Sequence, residues 1–164
     1  MADLYPLAQQ LGQAMLSRGW VLATAESCTG GGIGAAITAV PGSSAWFDGG
    51  VISYSNRAKQ CLLGVSAESL AESGAVSEPV VRQMAQGALQ RCAADLAVAV
   101  SGIAGPDGGS AEKPVGTVWI AWAQANGKVT ASHFVFAGDR QSVRQQTVVA
   151  ALQGLLVLAG NAFC

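Results

Sequence analysis

In the segment ESCTGGG, residues 26 to 32, a hydroxyl (Ser27) and a thiol (Cys28) stand just ahead of three consecutive glycines. Ser27 follows an apolar run and precedes a glycine-rich helix start. That placement can expose a nucleophilic hydroxyl while backbone N–H groups point at a developing oxyanion. Gly30, Gly31 and Gly32 let a substrate approach the backbone closely, and the N–H groups of Thr29, Gly30 and Gly31 can equally hold a phosphate. The segment is neither a G-x-S-x-G elbow nor a P-loop, and an ordinary helix cap also accounts for Ser27. Cys28 competes for the nucleophile's role: a thiol at a helix N-terminus can be acidified, whereas a small buried cysteine is inert. Glu26 has two open readings, a contact to substrate or water and a structural pairing.

A nucleophilic serine needs a proton acceptor. His133 is the only histidine and falls in an expected strand, where its role is structural, so Ser-His-Asp chemistry with any other histidine is excluded. Lysine serves as a base when burial or a neighbouring cation lowers its pKa. Lys59, in the segment NRAK, follows a strand, and Arg57 close by could add repulsion. A surface lysine is the plain alternative. Tyr54 and Asn56 could orient the base or bind substrate, or simply pack and cap the turn. Arg140 and Arg144 are four apart and share a helix face. Their guanidinium forks suit phosphate or carboxylate, and a solvated face is the alternative. Trp46 and Phe47 could line a flat pocket or pack in the core.

The bulk composition narrows the function classes. The chain has 164 residues, 51% hydrophobic, with a mean hydropathy of +0.37. Nine Lys and Arg against ten Asp and Glu leave a net charge of -1, which argues against a nucleic-acid partner. Only 12% of residues are charged, against about 25% in an average domain. That deficit fits surface buried in a homo-oligomer, or plain compositional bias. Cys28, Cys61, Cys92 and Cys164 make no C-x-x-C pair, so a zinc ribbon or thioredoxin-like site is not expected, and without a disulfide pattern the cytoplasm is the default. The N-terminus lacks the basic-then-apolar layout of a signal peptide. The apolar C-terminal stretch is interrupted by Gln153 and Gly154, so no membrane span is expected, and the final NAFC reads as a frayed tail.

Periodicity predicts the elements that must position these groups. Leu4, Leu7, Leu11, Ala14 and Met15 mark a helix over 4–18, ended by Gly19. Residues 21–25 read as a short buried strand and GIGAAITAV as a small-residue helix. PGSSAWFDGG reads as a loop, 51–55 as a strand and NRAKQCLLG as a short helix. Ser66 caps a further turn, and Ser77 caps a helix with Val80, Met84, Ala88 and Leu89 on its apolar stripe. Residues 96–102 form a strand covered on both faces, followed by the long loop GIAGPDGGSAEKPVG. The pair Asn126-Gly127 predicts a hairpin between TVWIAWAQ and TASHFVFA, with Trp119 and Trp122 on opposite faces. Asp139 caps a last helix carrying Val143, Val148, Leu152, Leu155 and Leu156. The fold class is α/β: one three-layer α/β/α domain over 1–164, core about 5–158, with a mixed sheet that includes a C-terminal hairpin. ESCTGGG, YSNRAK and SGIAGPDGG all follow expected strands, so they can meet at one cleft beyond the strands' carboxyl ends.

AESCTGG, WFDGGVISYSN..K, GAVSE, SGIAGPDGG and KPVGTVW occur in this order. In that ordered combination the chain resembles the CinA C-terminal domain family, particularly its stand-alone bacterial nicotinamide-nucleotide amidases, over roughly residues 5 to 158. The resemblance implies an α/β/α domain that hydrolyses the carboxamide of nicotinamide mononucleotide to nicotinate mononucleotide and ammonia. It implies a Ser-Lys arrangement: Ser27 matches the nucleophile, Lys59 the base, Tyr54 the tyrosine of the site, and Ser101 a position carrying Ser or Thr near the catalytic groups. Arg144 looks like the arginine at the nucleotide end, with Arg140 a weaker match. The implied mechanism requires no metal or redox cofactor, and the partner is a small pyridine nucleotide. Two alternatives remain at this point: an amidase using Cys28 or taking another amide, and a nucleotide-binding regulatory module without catalysis.

Overall fold

The computed structural model describes residues 3–160. Chain order runs α1 (Tyr5–Arg18), β1 (Leu22–Glu26), α2 (Gly32–Thr38), a 3-10 turn (Ser43–Ala45), β2 (Phe47–Ile52), α3 (Asn56–Leu63) and α4 (Ala67–Ser73). It continues through α5 (Glu78–Arg91), β3 (Leu96–Gly102), β4 (Thr117–Gln124) and β5 (Val129–Val135) to α6 (Arg140–Gly160). The five strands form one mixed sheet in the order β2-β1-β3-β4-β5. β1 pairs in parallel with both β2 and β3, while β4 and β5 are antiparallel. The expected three-layer domain with a C-terminal hairpin is therefore what forms. The NAFC tail and Cys164 lie outside the described residues.

Side-chain size sorts the two faces of the sheet. Alternation in the strands sends Leu22, Leu96, Val98, Val100, Val118, Ile120 and Trp122 to the face covered by α1, α2 and α6. The opposite face carries Ala23, Ala25, Ala97, Ala99, Ala121 and Ala123, and α5 lies against it. Alanine strands let a helix sit close, so α5 and the shorter α3 and α4 cover that face with modest side chains. Trp119 and Trp122 go to opposite faces, as the alternation requires. Trp119 meets His133 with ring centroids 5.0 Å apart, so the single histidine is an exposed packing residue of β5. Trp46 is buried against Gly12 of α1, and Phe47 is half-buried, which places both in packing.

Local signals mostly end elements where expected. Gly19 takes a left-handed conformation (φ 64°) and closes α1, Ser55 and Ser66 cap α3 and α4, and the Asp139 carboxylate accepts from Ser142 N at 2.8 Å. Three expectations need correction. β1 runs one residue further than expected, through Glu26. β2 begins at Phe47 and ends at Ile52, not over 51–55, so the supposed loop FDGG is strand. Glycine weakens a strand in isolation, yet Gly50 is required here: it packs on the Thr24 side chain of β1, and a Cβ would have no room. Ser77 precedes α5 without capping it through its side chain; its hydroxyl donates to the Gly74 carbonyl at 2.7 Å. Among the described residues, no helix is long and apolar enough to cross a membrane.

Candidate active site

β1, β2 and β3 point the same way, so the segments that follow them emerge at one edge. The chain leaves β1 for β2 on one side and returns over the sheet to β3 on the other, making a switch point between β1 and β3, where open α/β sheets bind ligands. Ser27 leaves β1 there and Ser101 sits near the end of β3. A cleft of about 180 Å³ opens at this point, bordered by Ser27, Tyr54, Asn56, Lys59, Ser101 and Arg140.

Lys59 lies in the first turns of α3 and is only 1% exposed. Its Nζ is 3.0 Å from Ser27 Oγ, 2.9 Å from the Ser53 carbonyl and 3.1 Å from the Tyr54 carbonyl. A neutral amine has two N–H donors and one lone pair. With the donors on the two carbonyls, the lone pair is left for the Ser27 hydroxyl. Burial holds the Lys59 amine below the ordinary lysine value of 10.5, and the nearby Cys28 opposes that shift. Arg57 is exposed, so burial and not Arg57 accounts for the lowered value.

The loop after β1 is fixed from below by Glu26. Its buried carboxylate accepts from the Thr29 hydroxyl at 2.6 Å, from Ile33 N at 2.8 Å and from Gly34 N at 3.0 Å. Glu26 is thus structural, holding the first turn of α2, and the Thr29 side chain is committed to it. Gly30 (φ 58°) and Gly31 (φ 103°) make the left-handed turn into that helix, a conformation disfavoured with a Cβ. Gly30 N donates to the Ser27 carbonyl at 3.0 Å. Among the described residues, the N–H groups of Cys28, Thr29 and Gly31 donate to no backbone carbonyl and to no other residue's side chain, and of the three only Cys28 borders the cleft.

Cys28 is buried, and desolvation pushes its thiol up to about 11. The acidified thiol that a helix start suggested is not formed, because burial disfavours the thiolate and the Glu26 carboxylate, which takes the N–H groups of Ile33 and Gly34 at the head of α2, adds to that.

The remaining site residues separate into those at the cleft and those beside it. Ser101 is buried and borders the cleft. Tyr54 is 62% exposed, and it meets Lys59 through its backbone carbonyl while its phenol oxygen accepts from Arg140 at 3.3 Å. Arg140 also donates to the Gly105 carbonyl of the β3–β4 loop at 2.9 Å. Asn56 is exposed at the rim. Arg144 does not border the cleft. Its Nε donates to the Cys28 carbonyl at 3.1 Å and an Nη to the Thr29 carbonyl at 3.0 Å, on the side facing α6. Thr29, Gly30 and Gly31 also stand back from the cleft, and Thr29 lines the neighbouring pocket beside Arg144 instead. Gly102 and Ala104 come from the SGIAGPDGG segment expected at the cleft, whereas the carbonyls of Ser53 and Tyr54 and the walls made by Ala75 and Val76 carry no residue-type signal of a chemical role. Among the described residues, no three His, Cys, Asp or Glu side chains gather as a metal-holding group.

The CinA C-terminal domain family matches residues 4–158. The nicotinamide-nucleotide amidohydrolase PncC of Escherichia coli (strain K12) is 55% identical over 154 residues, spanning 94% of this chain and 93% of its own. The nicotinamide-nucleotide amidohydrolase PncC of Pseudomonas putida is 52% identical over 158 residues, spanning 96% and 98%. Among solved structures, the competence/damage inducible protein CihA from Agrobacterium tumefaciens superposes with a TM-score of 0.94 at 46% identity, covering 96% of both chains.

Proposed function

Because the chain belongs to the CinA C-terminal domain family, we propose that it hydrolyses the carboxamide of nicotinamide mononucleotide to nicotinate mononucleotide and ammonia, with Ser27 as nucleophile and Lys59 as base. The observation that carries this reading is the buried 3.0 Å contact between the Lys59 amine and the Ser27 hydroxyl.

Neutral Lys59 takes the Ser27 proton as Oγ attacks the carboxamide carbon. Charge builds on the amide oxygen, and the N–H groups of the turn beside Ser27 stand ready to receive it. The protonated Lys59 then gives its proton to the departing amine, which leaves as ammonia and an acyl-enzyme on Ser27. Water attacks that ester with Lys59 again as base, which regenerates the hydroxyl and releases the acid. Ser53 and Tyr54 carbonyls keep the amine aimed through both half-reactions. Ser101 lines the wall beside the reacting carbon, where its hydroxyl can relay a proton. Ala75, Val76 and Ala104 give the pyridine ring an apolar wall, and Arg140, with Tyr54 and Asn56 at the rim, takes the phosphate end.

The reading extends to a cytoplasmic homo-oligomer. Free thiols at Cys28, Cys61 and Cys92 favour a reducing compartment, and sparse charge favours surface shared between copies. Sedimentation of the purified chain tests the oligomer.

Purified protein incubated with nicotinamide mononucleotide should release nicotinate mononucleotide and ammonia in equal amounts. Folded protein at high concentration that releases neither overturns the proposal. Nucleotide binding in that same sample would point to a regulatory module instead.

A further inference from the structure

Arg144 is four residues from Arg140 on the same helix, yet its fork is spent on protein. Both contacts are carbonyls of the turn that follows Ser27: Nε to Cys28 and an Nη to Thr29. A trans peptide is planar, so its N–H points opposite to its C=O. The Cys28 carbonyl faces α6 on one side of the sheet; the N–H of the same peptide, that of Thr29, therefore faces away from α6. Lys59 comes from that other side, because α3 packs with α5 on the alanine face. The Thr29 N–H is also one of the three in this turn that donate to no backbone carbonyl. A guanidinium grips two neighbouring carbonyls at once in a fixed plane, which an ammonium cannot do.

We propose that Arg144 is a positioning residue that locks the turn following Ser27 through the Cys28 and Thr29 carbonyls, so that the free N–H groups beside Ser27 keep their aim at the reacting carbonyl, and that it makes no contact with the substrate phosphate. This rests on the amidase reading, which it deepens by naming what holds the turn that carries the nucleophile. Glu26 fixes the same turn from the opposite end through the Thr29 hydroxyl, so the turn is held at two points.

The test compares wild type, R144K and R144Q on nicotinamide mononucleotide and on nicotinamide riboside, which lacks the phosphate. Both variants keep an aliphatic stem, and thermal melting confirms that each is folded at the assay temperature. A positioning role lowers kcat for R144Q by about 10²–10³-fold, the loss typical of one oxyanion donor, with KM little changed and the same factor on both substrates. R144K should fall between the two. A rise in KM at unchanged kcat, or a loss confined to the phosphorylated substrate, overturns the proposal. If the riboside is not turned over, the split between kcat and KM on the mononucleotide decides.

A second measurement does not depend on the amidase reading. A fluorophosphonate forms a bond from Ser27 Oγ to phosphorus, expels fluoride and passes the serine proton to Lys59; its phosphoryl oxygen needs the same N–H groups. Labelling followed by mass spectrometry should be slower in R144Q by a similar factor. Equal labelling of both proteins, or no labelling of wild type, overturns the proposal. Silence toward the amide with Arg144-dependent labelling would overturn the amidase reading alone.

Discussion

The backbone of Gly87 in α5 lies against the carbonyl of Leu63, the last residue of the helix that carries Lys59, so closely that a Cβ on Gly87 would overlap it. The pair sets the height of α3 above the sheet and therefore the reach of the Lys59 amine toward β1. G87A should force the helices apart, at a cost of about 1–3 kcal/mol in stability by overpacking. Urea unfolding measures that cost. Turnover in the folded fraction should fall as well, and an unchanged rate would show that α3 tolerates the shift.

The nucleophile and base separate cleanly by substitution. S27A should lose about 10⁴-fold or more of kcat, because the covalent route is removed. K59A should lose about 10²–10⁴-fold, the range of a positioned general base. C28A should keep activity within about threefold, since its thiol is pushed up to about 11 and stays protonated at neutral pH. Iodoacetamide should accordingly modify exposed Cys61 and leave Cys28 and turnover untouched; mass spectrometry locates the adducts.

The pH profile follows from Lys59. Burial lowers its pKa, so the catalytic neutral amine forms below the ordinary 10.5. kcat/KM should rise with pH through that ionisation and level off above it, a limb read from initial rates across a pH series. Stability has the same sign. The unfolded chain binds this proton more readily than the fold does, so the charged lysine weakens the fold below its folded pKa. That penalty is relieved as pH rises toward the unfolded value.

Arg140 stands at the cleft rim with Tyr54, where a phosphate would exchange for the phenol contact. R140A should raise KM for nicotinamide mononucleotide by about 10–100-fold, the worth of a charge-assisted hydrogen bond, with much less effect on the riboside. Initial-rate kinetics on both substrates check it; an equal effect on the two would remove Arg140 from the phosphate site.

Much of this is legible in the amino-acid sequence. With His133 the lone histidine, a serine nucleophile requires another base; the position of Lys59 just past a strand allows that role, and the family resemblance singles it out. Asn126-Gly127 announced the hairpin, and Gly19 the end of α1. The division of labour between Arg140 and Arg144 was not legible. The two share a helix face, but one turn displaces the second by roughly 6 Å, enough to move it from the cleft to the loop carbonyls. Glu26 was undecidable because its partners are backbone N–H groups, which every residue carries. β2 is hidden from the sequence because Gly49 and Gly50 argue locally against a strand, while the close approach to Thr24 that requires a glycine exists only once β1 and β2 are paired.

The Ser27–Lys59 pair joins a strand tip to a helix on one face of the sheet, and Arg144 reaches the same turn from a helix on the other. No single layer of the sandwich contains a working serine. A chain in which either layer has yet to dock carries an ordinary alcohol at position 27, chemically silent toward amides and probes alike. The reactivity of that one hydroxyl is thus a gauge of completed assembly: it requires both layers to be docked on the sheet.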